Sequence, residues 1–320
     1  MLLRFFYILL ITILAFLKSE GQQTAEKFIR ETHYLLSLPP DYNLDSSRKW
    51  PLLLFLHGGG ESGHDIQKVK VHGPPKLVEK GKRFPMIIVS PQAYPEIGWD
   101  PEGLYQLIQH IKRTQRIDHD KIYVTGLSMG GYGAWALAMR HPEEFAAIAP
   151  ICGGGDTTDI WRIRNLPVWN FHGAKDDVVP PSESEKMVTA ARRYNRNVKY
   201  TLYPEANHNS WDSAYNSDVL YDWMLQQKRF RYTEVNVPAE KLNIFTGNYR
   251  NKGNDPLKIV QRDGQLIIHA GRDTIPLKAA GNGLFFIHPN EPAEFRFKVN
   301  KNRVIGFEFL GHHREYYRKL

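Results

Sequence analysis

The sequence predicts an α/β fold, a doubly wound and mostly parallel sheet, followed by a small antiparallel β-domain. Three observations predict it. Apolar runs of strand length recur through the first two thirds of the chain, WPLLLFL at residues 50–56 being the clearest, as expected of strands buried on both faces. Helical patterns alternate with these runs, an order that implies parallel strands joined by crossover helices. From about Phe230 the texture changes to short β-type runs separated by turn signals, with no helical period.

At the start of the chain, Arg4 precedes the apolar run FFYILLITILAFL, and Ser19 and Gly21 fit the positions before a secretory cleavage site. Residues 1–21 are therefore expected to be a signal peptide of an exported protein, periplasmic or secreted. The run is shorter than the roughly 20 residues of a membrane span, so no stable membrane span is expected. Residues 32–38 read as a strand turned over by Pro39-Pro40-Asp41, and residues 50–56 and 84–90 as buried strands. An amphipathic helix at 102–113 leads into the strand at Ile122-Tyr123-Val124. Strands at 145–152, 167–171 and 198–203 then alternate with helices at 183–194 and 211–227. This part, residues 22–229, is expected to form one domain.

Residues 230–320 are expected to form the second domain. Leu257-Lys258-Ile259-Val260 and Leu266-Ile267-Ile268 flank Arg262-Asp263-Gly264, a hairpin signature, and Gly281-Asn282-Gly283 marks another turn. Phe295 to Val299 and Val304 to Phe309 alternate on either side of Asn300-Lys301-Asn302. The net charge is +8; residues 228–320 hold 17 basic and 9 acidic side chains, while the preceding part has 25 of each. That excess makes an anionic polymer a candidate partner of the C-terminal domain, with solvation of a positive surface as the plainer reading. Cys152 is the one cysteine, so no internal disulfide forms and stability rests on core packing.

The chemistry centres on Gly126-Leu127-Ser128-Met129-Gly130, between a strand and a helix. A serine at the tip of such a turn is strained and exposed, and the flanking glycines let neighbouring backbone approach. Its hydroxyl needs a base, and the base an orienting carboxylate. Asp176 and Asp177 follow the strand at 167–171, with Asp176 favoured as the first acid to leave the strand-end turn. His208 follows the strand at 198–203. The Gly59 and Met129 N–H groups are assigned to an oxyanion hole, and Trp99 and Trp211 are candidates to line the substrate pocket. His57 precedes the Gly-rich loop and is expected to support it. That loop lacks the Lys-Ser/Thr of a P-loop and the G-x-G-x-x-G spacing of a dinucleotide turn, so no nucleotide is expected there. Nor is nucleic acid an expected partner. No histidine pair has metal-ligand spacing, and no metal is expected.

With these residues in hand, residues 32–227 resemble the esterase branch of the α/β-hydrolase superfamily, the secreted carboxylesterases related to feruloyl esterases and polyhydroxybutyrate depolymerases. LLLFLHGGGESG, IIVSPQ, IYVTGLSMGGYGAW, PICGGGD, PVWNFHGAKDDVVP and YPEANHNSW carry the resemblance. It implies an α/β-hydrolase fold, with Ser128 as nucleophile, Asp176 as acid and His208 as base, and no cofactor. Dienelactone hydrolases share that fold but place cysteine in the elbow, so Ser128 argues against that branch. The expected function is an exported serine carboxylesterase acting on small-molecule or polysaccharide-linked esters. The alternatives are an exported serine peptidase of prolyl-oligopeptidase type and a polysaccharide-binding protein with subordinate hydrolase activity.

Overall fold

The computed structural model describes residues 31–301 and 303–320, so the signal peptide expected at residues 1–21 lies outside the described residues. The chain enters through β1 (Tyr34–Ser37), β2 (Trp50–Leu56), α1 (Gly73–Glu79) and β3 (Ile87–Pro91). Then come α2 (Pro101–Thr114), β4 (Ile117–Leu127), α3 (Met129–Arg140), β5 (Ala147–Ile151) and β6 (Val168–Gly173). α4 (Pro181–Arg192), β7 (Val198–Tyr203), α5 (Trp211–Tyr215) and α6 (Asp218–Gln226) complete this part. Seven strands form one sheet in the order β1-β3-β2-β4-β5-β6-β7. β1 runs antiparallel to β3, and every other neighbouring pair is parallel.

Strand periodicity divides the core between the two faces of the sheet. Leu52, Leu54 and Leu56 of β2 pack on one side with Ile122 and Val124, under α2, α3 and α4. Leu53 and Phe55 pack on the other side with Tyr123 and Phe171, under α5 and α6. Each such fully buried Leu, Val, Ile or Phe side chain contributes roughly 1.5–3 kcal/mol relative to its exposed state. α2 shows why a helix forms where the pattern indicates. Asp100 caps it by accepting the Glu102 N–H, Pro101 occupies its first turn, and Leu104, Leu107, Ile108 and Ile111 make one buried face.

Two local features differ from the sequence expectation. The helix expected at 211–227 is two helices, because the backbone at Ser217 is extended and the chain restarts at Asp218. α1 lies outside the elements expected from the sequence, and it opens on Gly73-Pro74-Pro75. Proline is nonetheless compatible with a first helical turn, whose N–H groups have no intrahelical acceptor.

Beyond α6 the architecture is all-antiparallel. A short helix α7 (Ala239–Leu242) precedes β8 (Gly247–Arg250), β9 (Pro256–Arg262), β10 (Gln265–Ala270) and β11 (Asp273–Gly281). β12 (Leu284–Phe286), β13 (Glu294–Asn300), β14 (Arg303–Leu310) and β15 (Arg314–Lys319) follow. These eight strands close into a barrel, β15 pairing with β8. The β9–β10 hairpin turns on Asp263 and Gly264, both at positive φ, as a two-residue turn requires. Tyr249, Phe285, Phe295, Phe297 and Phe307 fill the barrel interior, with Leu242 and Phe245 packed against them.

Residues 32–320 form one compact unit, and buried polar contacts join the barrel to the α/β part. The Tyr232 hydroxyl donates to Glu294 at 2.5 Å and accepts from Asn165 at 3.0 Å, while its ring stacks on Phe286. The buried Arg164 guanidinium donates to the Leu310 and Gly311 carbonyls. No helix among the described residues is long and apolar enough to cross a membrane.

Candidate active site

β4 delivers Ser128 to the carboxyl edge of the sheet, and the turn there is tight enough to hold the serine at φ 53° and ψ −117°. Both flanking glycines are sterically required. A Cβ at Gly126 would strike the Gly130 carbonyl, and one at Gly130 would strike the Leu56 carbonyl. The Ser128 N–H donates to Ile151 O at 3.0 Å, and the Ser128 carbonyl accepts from Gly131 and Tyr132 as α3 begins. These bonds hold a backbone conformation that costs of order 1–3 kcal/mol.

His208 stands in a 3-10 turn after β7, with Nε2 3.0 Å from Ser128 Oγ. Its Nδ1 lies 2.8 Å from Asp176 Oδ2 and 3.0 Å from Oδ1. An ionised carboxylate only accepts, so Nδ1 carries the proton and the Nε2 lone pair faces the serine hydroxyl. Asp176 turns inward from the loop after β6, whereas Asp177 is exposed. Burial pushes the Asp176 carboxyl up, but hydrogen bonds from His208 and from the Val179 and Val178 N–H groups more than offset it. The group is held below its ordinary value. Trp211 meets the His208 ring edge-on at 5.1 Å.

The Gly-rich loop after β2 comes up beside the serine. A Cβ at Gly58 would lie 2.8 Å from Leu127 Cδ1 and 3.7 Å from Ser128 Cβ. The Gly58 N–H is taken by Glu61 Oε2 at 2.9 Å. Among the described residues the Gly59 and Met129 N–H groups have no protein acceptor, and Gly59 is exposed. The buried His57 accepts the Ala93 N–H at Nε2, which leaves its Nδ1 proton for the Gly58 carbonyl, 2.6 Å away. Desolvation lowers the His57 pKa, partly offset by its bond to Gly58 and by Glu61. Trp99 donates Nε1–H to the His57 carbonyl at 3.1 Å and packs against the His57 ring. Its polar edge is thus used beneath the loop.

Glu61 and Gln92, which the sequence pattern does not single out, complete the surroundings of the site together with His172 and Cys152. Glu61 and Gln92 anchor the Gly-rich loop, Gln92 Nε2 donating to the Glu61 carbonyl at 2.8 Å. His172 Nε2 lies 3.1 Å from Asp176 Oδ2, and its Nδ1 is 2.7 Å from the buried Ser184 hydroxyl. Its place two residues before the Ala174-Lys175-Asp176 turn was the one available signal. Cys152 sits behind the site at φ 41°, its sulfur, an Asp176 oxygen and a His208 nitrogen all within 4.8 Å of one another. Burial pushes its thiol up to about 12, so it remains protonated and is a poor metal ligand at neutral pH.

The Dienelactone hydrolase family model matches residues 100–219, a span that includes Ser128, Asp176 and His208. Over 158 residues, 48% of this chain, the sequence is 27% identical to a probable feruloyl esterase C of Aspergillus terreus, covering 57% of that protein. Over 137 residues, 40% of this chain, it is 28% identical to a bifunctional acetylxylan esterase/xylanase of Neocallimastix patriciarum, covering 20% of that protein. A solved thermostable esterase superposes with a TM-score of 0.54 at 33% identity, covering 62% of this chain and 60% of that one. The chain therefore spans less than two thirds of the length of these relatives. The sheet order, the flanking helices and the likeness to this solved esterase give the chain an α/β-hydrolase fold. The family match falls on the branch that Ser128 argues against, so likeness of scaffold and identity of the elbow residue are separate properties here.

Proposed function

We propose that the protein is a serine carboxylesterase in which Ser128, His208 and Asp176 act as nucleophile, base and orienting acid. One observation carries the reading: the His208 ring bridges the serine hydroxyl and a buried carboxylate through its two nitrogens. Ser128 Oγ attacks the ester carbonyl as Nε2 takes its proton, and the resulting imidazolium is stabilised by Asp176. The developing oxyanion accepts from the Gly59 and Met129 N–H groups. Collapse expels the alcohol, which takes the proton from His208, and water releases the acid from Ser128 by the same steps in reverse order of partners.

The substrates are carboxylic esters, including those that decorate polysaccharides, a class suggested by the names of the feruloyl and acetylxylan esterase relatives. Trp99 and Trp211 border the substrate site, and residues 230–320 form an accessory domain whose positive surface meets an anionic polymer. Export through residues 1–21 belongs to the same reading, and N-terminal sequencing of the mature protein tests it. The decisive assay compares wild type and Ser128→Ala on p-nitrophenyl acetate, methyl ferulate and peptide p-nitroanilides. Ester turnover by wild type that disappears in the variant is expected. Wild-type turnover in Ser128→Ala, or faster cleavage of the anilides than of the esters, would overturn the reading.

A further inference from the structure

The barrel carries most of the molecule's charge excess, and register shows where that charge is concentrated. Lys298 of β13 is the cross-strand partner of Gly306, Gly306 of Arg318, and Arg318 of Arg250. These positions form one row across four adjacent strands. The residues next to them in sequence, Phe297, Phe307, Tyr317 and Tyr249, belong to the barrel core, so the row faces outward. Lys298, Arg318 and Arg250 are exposed. Strands about 4.8 Å apart put the two arginines side by side and Lys298 roughly 10 Å from Arg318.

Two features set this row apart from an ordinary solvated surface. Nearer the α/β part, Arg296 is paired with Glu294 and Arg314 with Glu308. Among the described residues, none of the three row cations is ion-paired. Like charges directly opposite one another across strands are destabilising, and Arg318 faces Arg250 with no carboxylate between them. The second feature is Gly306, where a Cβ would strike the Tyr316 hydroxyl. The absent side chain lets the Tyr316 ring lie across the strand within the row, with Lys298 Nζ 4.9 Å from its centroid.

We propose that this row binds an acidic polysaccharide, a glycan bearing uronate carboxylates. Guanidinium groups present paired donors that match a carboxylate, and one carboxylate between Arg318 and Arg250 would relieve their repulsion. The flat Tyr316 face suits the apolar face of a sugar ring. Nucleic acid fits less well, because single strands are held by successive aromatic platforms and the row offers one. The identity of the polymer, though not the existence of the surface, rests on the proposed action on polysaccharide esters.

The test is affinity electrophoresis of the full chain through gels containing polygalacturonate, at low and raised salt, with parallel measurement of p-nitrophenyl acetate hydrolysis. Wild type should be retarded, and less so as salt screens the charges. The pair Arg250→Gln and Arg318→Gln should weaken binding roughly tenfold, as expected for two exposed ionic contacts, and leave hydrolysis unchanged. Arg314→Gln, outside the row, should bind as wild type, and Tyr316→Leu should bind more weakly. The proposal is overturned if wild type is not retarded, if the double variant is retarded equally, or if single-stranded DNA or phosphatidylserine vesicles bind as tightly as polygalacturonate. Ser128→Ala separates the two readings. It should bind the polymer normally without ester turnover, whereas a failure of the esterase reading would appear as absent ester turnover by the wild type with polymer binding intact.

Discussion

Among the described residues six that are not glycine hold positive φ, and the two parts of the molecule use that conformation differently. In the barrel these are Asn254, Asp263, Asn282 and Lys301, all outside the strands or at their turns. Three of these four are Asn or Asp, which tolerate the left-handed region, so those turns form locally and cheaply. In the α/β part the two are Ser128 and Cys152, at the carboxyl ends of adjacent strands. Neither belongs to a residue type that favours the region. They are held by backbone bonds from other strands, the Ser128 N–H to Ile151 O and the Cys152 N–H to Phe171 O. Strain imposed by neighbouring strands presents Ser128, the proposed nucleophile, whereas strain confined to a turn only reverses the chain.

The largest effects are expected at the elbow. Ser128→Ala or His208→Ala should lower ester turnover by at least roughly 10⁴ while the melting temperature stays close to wild type. Asp176→Asn should cost about 10⁴ in kcat, by leaving His208 in the wrong tautomer. The same substitution gives a signed pH effect. Because the Asp176 pKa is depressed in the folded protein, its contribution to stability is present above the unfolded value of about 3.9 and is lost as pH falls through the lower folded value. The melting-temperature gap between wild type and Asp176→Asn should therefore narrow between neutral pH and about pH 3.

Glycines sharpen the same contrast. Gly130→Ala would drive a methyl into the Leu56 carbonyl and should cost roughly 2–4 kcal/mol in denaturant unfolding. Gly264→Ala in the β9–β10 turn meets nothing within 4 Å, so only its φ of +76° is penalised, at about 1 kcal/mol. Equal costs at the two positions would remove the distinction drawn above. Trp99→Phe keeps the ring but removes the bond to the His57 carbonyl, and should lower kcat by about fivefold with binding little changed. The smallest effect concerns Cys152, buried with its thiol pushed up to about 12. Iodoacetamide at pH 8 should leave it unmodified in the folded protein and alkylate it in denaturant.

Much of the α/β part is legible because its strands are continuous apolar runs, and β2 and β7 fall where the pattern indicates. The barrel is less so. The β15 sequence, REYYRK, keeps apolar surface only in its tyrosines, and β11 contains a proline, so neither strand was anticipated. Closure of β15 on β8 is likewise invisible, since it joins segments about 70 residues apart through backbone bonds that any side chain permits.

For the candidate site, the sequence alone determined the residue types and their order: a serine flanked by glycines, then two adjacent acids, then a histidine, each after an apolar strand. Only the tertiary structure decided that Asp176 turns inward while Asp177 faces solvent, and that Glu61 occupies the Gly58 N–H and leaves the Gly59 N–H without a protein acceptor. It also decided that His172 stands behind the acid. These outcomes depend on strand register and on which way each loop folds after leaving the sheet. Both are set by packing among segments distant in sequence, which local pattern does not encode.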